Sequence, residues 1–149
     1  MTPEEGLLNY ILDRSYGCRH ITLIDPGKQS SEIATRRAIS AVNAGSRMIF
    51  IGGSTDTPNE VVHETCKAIQ EALELQIFAS SQDPTSDEDT WRVPVVLFPS
   101  GAHALSPDAD GITFMMLMNS KSRRFLIDEQ LNGAPHLEKY GVEALPTGY

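Results

Sequence analysis

The sequence predicts an α/β fold built on a parallel sheet, and three observations carry that prediction. Short runs apolar on both faces, such as Met48-Ile49-Phe50-Ile51, alternate with amphipathic helical stretches, the pattern of strands covered on each side. The order strand, loop, capped helix occurs twice in the first half of the chain. The longest apolar stretches, Val95 to Phe98 and Phe114 to Met118 among them, fall far short of the roughly 18 to 20 residues a bilayer span requires.

The elements follow in order. Thr2-Pro3-Glu4-Glu5 supplies a capping hydroxyl, a first-turn proline and a following Glu ahead of Leu7, Leu8, Ile11 and Leu12 at helical spacing, so a short helix opens the chain. His20 to Ile24 is β-branched and apolar and stops at Asp25-Pro26-Gly27, a first strand ended by a turn. From Ser30 or Ser31 to Asn43, residues Ile33, Ala34, Ala38, Ile39 and Val42 form one helical stripe, with Gly45 as its stop. Met48 to Ile51 is the second strand, Gly52-Gly53-Ser54 a loop, and Thr57-Pro58-Asn59-Glu60 a capping box for a helix carrying Val62, Cys66, Ile69 and Leu73.

Residues 79 to 92 are polar and acidic and read as a surface insertion. Val93 to Phe98 is the third strand and Ile112 to Leu117 the fourth. A helix then runs from about Ser122 to Asn132, Gly133-Ala134-Pro135 interrupts it, and a short helix from His136 to Tyr140 leads into a fifth strand at Val142 to Leu145. This pattern leaves two architectures open, an open sheet or the first half of a (β/α)8 barrel, since a whole barrel takes about 250 residues.

Composition narrows the function. The 149 residues, 40% apolar and 21% charged, suffice for one domain-sized core. Twelve basic against twenty acidic residues give a net charge of −8, which argues against sequence-independent nucleic-acid binding. A phosphate ligand therefore needs a local site or a metal. Cys18 and Cys66 have no second cysteine beside them, so we expect two reduced, semi-buried thiols. The acidic N-terminus lacks the basic start and apolar stretch of an export signal, which points to the cytoplasm.

In parallel α/β folds, ligands gather at the C-terminal ends of strands. Asp25 ends the first strand, and its carboxylate there suits Mg²⁺, which takes few protein oxygens; it equally suits a turn or helix cap. Gly52-Gly53-Ser54-Thr55 ends the second strand and lets backbone amides and hydroxyls approach an anion, although Gly-Gly is also ordinary turn chemistry. Lys28 either neutralises a phosphate or is plain solvated surface. His20, His63, His103 and His136 share no metal-ligand spacing and read as surface or packing residues, with only His103 in a strand-end loop. Asp108 and Asp110 precede a strand and read as a turn and a cap. Asp83, Asp87, Glu88 and Asp89 lack a calcium-loop pattern and read as a solvated loop. Met115, Met116 and Met118 read as fourth-strand core, or as the lining of an apolar tunnel where one reaches the mouth.

Six segments in fixed order resemble the geranylgeranylglyceryl phosphate synthase family: His20 to Lys28, Ala44-Gly45 leading to Ile49 through Thr55, Pro94 to Pro99, Leu105 to Asp110, Phe114 to Ser120, and Leu145 to Tyr149. The resemblance implies a TIM-barrel prenyltransferase that joins geranylgeranyl diphosphate to sn-glycerol 1-phosphate, a homo-oligomer at full length, with Mg²⁺ as cofactor. It implies Asp25 and Ser54 as metal ligands, and places Lys28, Gly53, Thr55, Asn119 and Ser120 near the diphosphate or the prenyl chain. The family's glycerol-phosphate pocket, a Tyr-Leu-Glu-like segment and glycine-rich loops after strands seven and eight, has no counterpart before Tyr149. The expectation is one N-terminal part of a barrel domain over residues 1–149, an incomplete chain that is inactive alone. Related bacterial synthases that use longer prenyl diphosphates, and a non-catalytic half-barrel that assembles with another chain, are the alternatives.

Overall fold

A computed structural model describes residues 6–53, 57–113, 116–145 and 147. Five strands, β1 (His20–Ile24), β2 (Ser46–Gly53), β3 (Val95–Pro99), β4 (Gly111–Thr113) and β5 (Glu143–Leu145), lie side by side in chain order, each parallel to the next. A doubly wound sheet reverses its winding at a switch point, and no junction here does. Of the two architectures the pattern left open, this is the barrel type.

The sheet sorts its residues by face. Ile49 and Ile51 of β2, Val95 and Leu97 of β3 and Ile112 of β4 are buried with Ala34, Ala38 and Val42 of α2 (Ser31–Asn43), with Val62, Ile69 and Leu73 of α3 (Asn59–Ser81), and with Leu137 of α4 (Glu129–Tyr140). The alternate positions Met48, Phe50, Val96 and Leu145 form a second cluster with Leu7 and Tyr10 of α1 (Gly6–Leu12). This is the period-two alternation of a pleated strand: three helices back one face, and one short helix lies against the other.

The third crossover has no helix. Between β3 and β4 the chain runs down the side of α3, burying Ala104, Leu105 and Ala109 where a helix would otherwise pack. The Leu105 N–H donates to Asn59 Oδ1 at 3.2 Å, and Gln70 Nε2 donates to the Asp108 carbonyl at 3.0 Å.

Several elements differ from expectation. The capping residues before α1 lie outside the described residues; within them, the Glu143 carboxylate of β5 accepts the Leu7 and Leu8 N–H groups at 2.7 and 3.0 Å. In α2, Ile33 is exposed and leaves the stripe to its neighbours. Gly52 and Gly53 belong to β2, not to a loop, because they pair with Phe98 and Pro99. Pro58 rather than Thr57 stands at the N-cap of α3, and Thr57 is turned inward and buried. Helix α3 continues to Ser81, so the insertion begins later than residue 79, and it is tied down: Trp91 packs on the core, and Asp83 and Asp87 accept the Thr85 and Asp89 N–H groups.

β3 is Val95–Pro99, and the described β4 is Gly111–Thr113. Phe114 and Met115 lie outside the described residues, while Met116 and Met118 are exposed beyond the strand rather than in its core. A π-helical turn (Arg124–Asp128) feeds directly into α4, which runs through Gly133 and Pro135 without interruption because Gly133 and Leu137 are buried. β5 begins at Glu143, one residue beyond the buried Val142. Cys18 is exposed and Cys66 fully buried, so the two thiols are not alike; burial pushes the Cys66 thiol up to about 12.

Candidate functional site

The parallel strands place their C-terminal ends on one rim, and the candidate residues can be followed along it strand by strand. Asp25 leaves β1 and caps a 3-10 turn (Pro26–Lys28): Oδ1 accepts the Gly27 N–H at 3.0 Å, and Oδ2 meets the Lys28 ammonium at 3.2 Å. The carboxylate is therefore the turn former that the sequence offered as one of its two readings, and it is half-buried, with 28% of its side chain exposed. Lys28 is itself four-fifths exposed, so its flexible stem can release Asp25 with little loss of packing.

Gly27 abuts the next loop. A Cβ on Gly27 would lie 2.9 Å from the Thr57 hydroxyl oxygen, so the Asp25 turn and the start of α3 fit closely. Gly53 ends β2, and a Cβ there would lie 2.7 Å from the Cβ of Ala104 in the third crossover. Its carbonyl accepts the Ser100 N–H at 3.0 Å. Glycine at 53 thus lets the third crossover approach the end of β2, and brings backbone rather than side chain to the rim. Ser54 and Thr55 lie outside the described residues.

At the end of β3, Ser100 Oγ lies 3.4 Å from His103 Nε2. Glu129, the first residue of α4, reaches back to this loop, where Oε2 accepts the Ala102 N–H at 2.7 Å and the carboxylate rests against Gly101, whose added Cβ would fall 2.6 Å from it. Oε1 pairs with the Arg124 guanidinium. Burial raises the Glu129 carboxyl, but the Ala102 N–H and Arg124 together outweigh it and hold the group below the usual glutamate value. Thr113 Oγ1 at the end of β4 donates to the Leu97 carbonyl. Beyond it, Asn119 is exposed, and Ser120 closes a turn by donating its N–H to the Leu117 carbonyl and accepting the Ser122 N–H on Oγ.

The rim therefore links Asp25 through Gly27 to Thr57, and Gly53 through Ala104 and Ala102 to Glu129 and Arg124. Thr57, Glu129 and Arg124 were missed by sequence reasoning; the one available signal was three cations, Lys121, Arg123 and Arg124, within four residues of an acidic chain. His63 lies away from this set, with Nδ1 2.9 Å from Asp108 Oδ2 and 3.3 Å from Ser106 Oγ. His20 Nδ1 lies 2.7 Å from Ser46 Oγ. Asp110, at the opposite end of the strands, accepts the Val95 N–H at 2.7 Å. Among the described residues no three His, Cys, Asp or Glu side chains converge on a metal position, and no helix is long and apolar enough to cross a membrane.

Comparison with known proteins supplies a frame for this rim. The PcrB family pattern matches residues 13–149. Geranylgeranylglyceryl phosphate synthase of Methanothrix thermoacetophila is 38% identical over 146 residues, covering 98% of this chain and 49% of that protein. Its counterpart from Thermofilum pendens is 37% identical over 143 residues, covering 95% and 49%. The crystal structure of (S)-3-O-geranylgeranylglyceryl phosphate synthase from Thermoplasma acidophilum in complex with sn-glycerol-1-phosphate superimposes with a TM-score of 0.77 at 30% identity, covering 97% of this chain and 51% of that one. The chain spans about half the length of the curated relatives it matches.

Proposed function

The chain belongs to the PcrB family, and on that premise we propose that it carries the metal- and diphosphate-binding side of a prenyltransferase. The reaction joins geranylgeranyl diphosphate to the 3-hydroxyl of sn-glycerol 1-phosphate and forms geranylgeranylglyceryl phosphate, an archaeal ether-lipid precursor. The observation that carries the proposal is Asp25, an accessible carboxylate at the C-terminal end of the first parallel strand, whose one cationic partner among the described residues is a lysine free to move.

The donor chemistry fits Mg²⁺. A hard ion that keeps most of its coordination for water and phosphate asks the protein for one or two oxygens, and Asp25 Oδ2 offers one, with Ser54 as the second expected ligand. When bound, Mg²⁺ would neutralise charge on the departing diphosphate. Asp25 fixes the position of that charge. Lys28, released from the carboxylate, supplies a mobile cation beside it. Gly53 keeps the rim clear of side chain, so that backbone can approach a phosphoryl oxygen. Met116 and Met118, exposed just past β4, give an adaptable apolar surface for a prenyl tail. The glycerol hydroxyl then attacks the allylic carbon as the carbon–oxygen bond to diphosphate breaks.

Equilibrium dialysis with labelled geranylgeranyl diphosphate tests this reading. Retention is expected to require MgCl₂, and Asp25→Ala is expected to weaken it by about tenfold or more, the loss of one charged contact. Equal retention with and without MgCl₂, or by the variant, would show that Asp25 holds no metal.

A further inference from the structure

We propose that Arg124 is a phosphoryl-binding residue of this rim and that Glu129, its partner, competes with the anion for its charge. The inference rests on the diphosphate reading above and adds to it a cation that the family resemblance did not supply. The chain carries a net charge of −8, so an approaching phosphoryl anion meets a repulsive field unless the rim presents positive charge locally. Arg124 lies on the rim because Glu129, its partner, is bonded to the Ala102 N–H and seated against Gly101 in the loop after β3.

The pair divides its work unevenly. Glu129 is largely buried, with 13% of its side chain exposed, whereas Arg124 is 46% exposed. One guanidinium nitrogen, Nε, serves Glu129; the remaining N–H donors meet no hydrogen-bond acceptor among the described residues, and a guanidinium presents five in a planar fork suited to phosphate. The ring of Phe125 lies 5.2 Å from the guanidinium carbon and limits its rotation. Arg123, by contrast, is 78% exposed and pairs with Asp128 at 2.9 Å. Arg124 is thus the oriented cation of the run from Lys121 to Arg124. The phosphoryl group it would grip belongs either to a diphosphate or to a glycerol phosphate.

Titration calorimetry of the 149-residue chain with inorganic diphosphate, and separately with sn-glycerol 1-phosphate, both in MgCl₂, distinguishes these sources and tests the inference. Arg124→Gln is expected to weaken binding of one of the two compounds by about tenfold, as loss of a charge-assisted contact predicts. Glu129→Gln keeps an oxygen for the Ala102 N–H but releases the guanidinium, so it is expected to tighten the same compound. That gain should exceed the gain from Asp128→Asn, which changes net charge equally. If Arg124 merely steadies Glu129, both Arg124→Gln and Glu129→Gln weaken binding, and the inference fails. It fails alone if the unaltered chain binds a phosphoryl compound and Arg124→Gln binds it as well; if the unaltered chain binds neither compound, the diphosphate reading falls with it.

Discussion

Gly53 has no room for a methyl group. Its added Cβ would stand 2.7 Å from Ala104 Cβ, and neither atom is the end of a flexible side chain, so relief requires backbone movement in β2 or the third crossover. Gly53→Ala is expected to cost about 1–3 kcal/mol, the usual range for overpacking, measured by urea denaturation; an unchanged midpoint would show that the crossover yields freely. Glu129 makes a second residue-level prediction. Its folded-state value lies below that of the unfolded chain, so its contribution to stability is complete at neutral pH and above the ordinary value of 4.5. The contribution is lost as pH falls through the lowered value. The difference in Tm between the unaltered chain and Glu129→Gln should therefore shrink on acidification; a constant difference from pH 7 to pH 3 would show that charge plays no part. The Asp25 turn was legible in the sequence because Asp before Pro-Gly at the end of an apolar run is an ordinary turn signal, and Asp25 does cap the turn that follows β1. Thr57 was misread because a hydroxyl before Pro58 satisfies a capping pattern, whether it caps or packs inward. The tie from Glu129 to Ala102 spans 27 positions, and local spacing carries no trace of it.

At the scale of elements, α1 illustrates how a short helix is held. Seven residues are too few for helical stability on their own, and two features supply the rest: Leu7 and Tyr10 buried on the sheet, and a carboxylate on β5 accepting two of the N–H groups that a helix leaves unpaired. Glu143→Ala is expected to destabilise the chain by about 1–2 kcal/mol and to speed hydrogen exchange at the Leu7 and Leu8 amides while sparing α3. Unchanged exchange would mean that packing alone holds α1. Helix periodicity and doubly apolar strands were readable because burial writes them directly into sequence, as in Ala34, Ala38 and Val42. Element ends were not. Pro135 and Gly133 looked like a break, yet burial of Gly133 and Leu137 outweighs the local preference. The glycines at 52 and 53 looked like a loop, yet pairing with β3 extends the strand through them.

At the scale of the whole molecule, strand order and surface character act together. Chain-order parallel pairing sends α2, α3 and α4 to one face and, among the described residues, leaves the other with α1 alone. On that second face Ile21 and Leu23 of β1 are 44% and 56% exposed. Beside them an apolar cavity of about 430 Å³ is lined by Ile11, Met48, Phe50 and Leu145. Alternation within β1 explains this physically: its inward positions pack under α2, so the opposite positions are apolar without a covering layer. Apolar residues exposed together on one face in this way should be detectable in solution. The 149-residue chain is expected to enhance the fluorescence of anilinonaphthalene sulfonate at neutral pH while retaining a cooperative unfolding transition. Leu23→Gln should lower that enhancement without lowering Tm, because a residue more than half exposed contributes little to the core. A chain that leaves the dye dark would show that this face is covered in solution, and an enhancement without cooperative unfolding would trace the dye to loose packing instead.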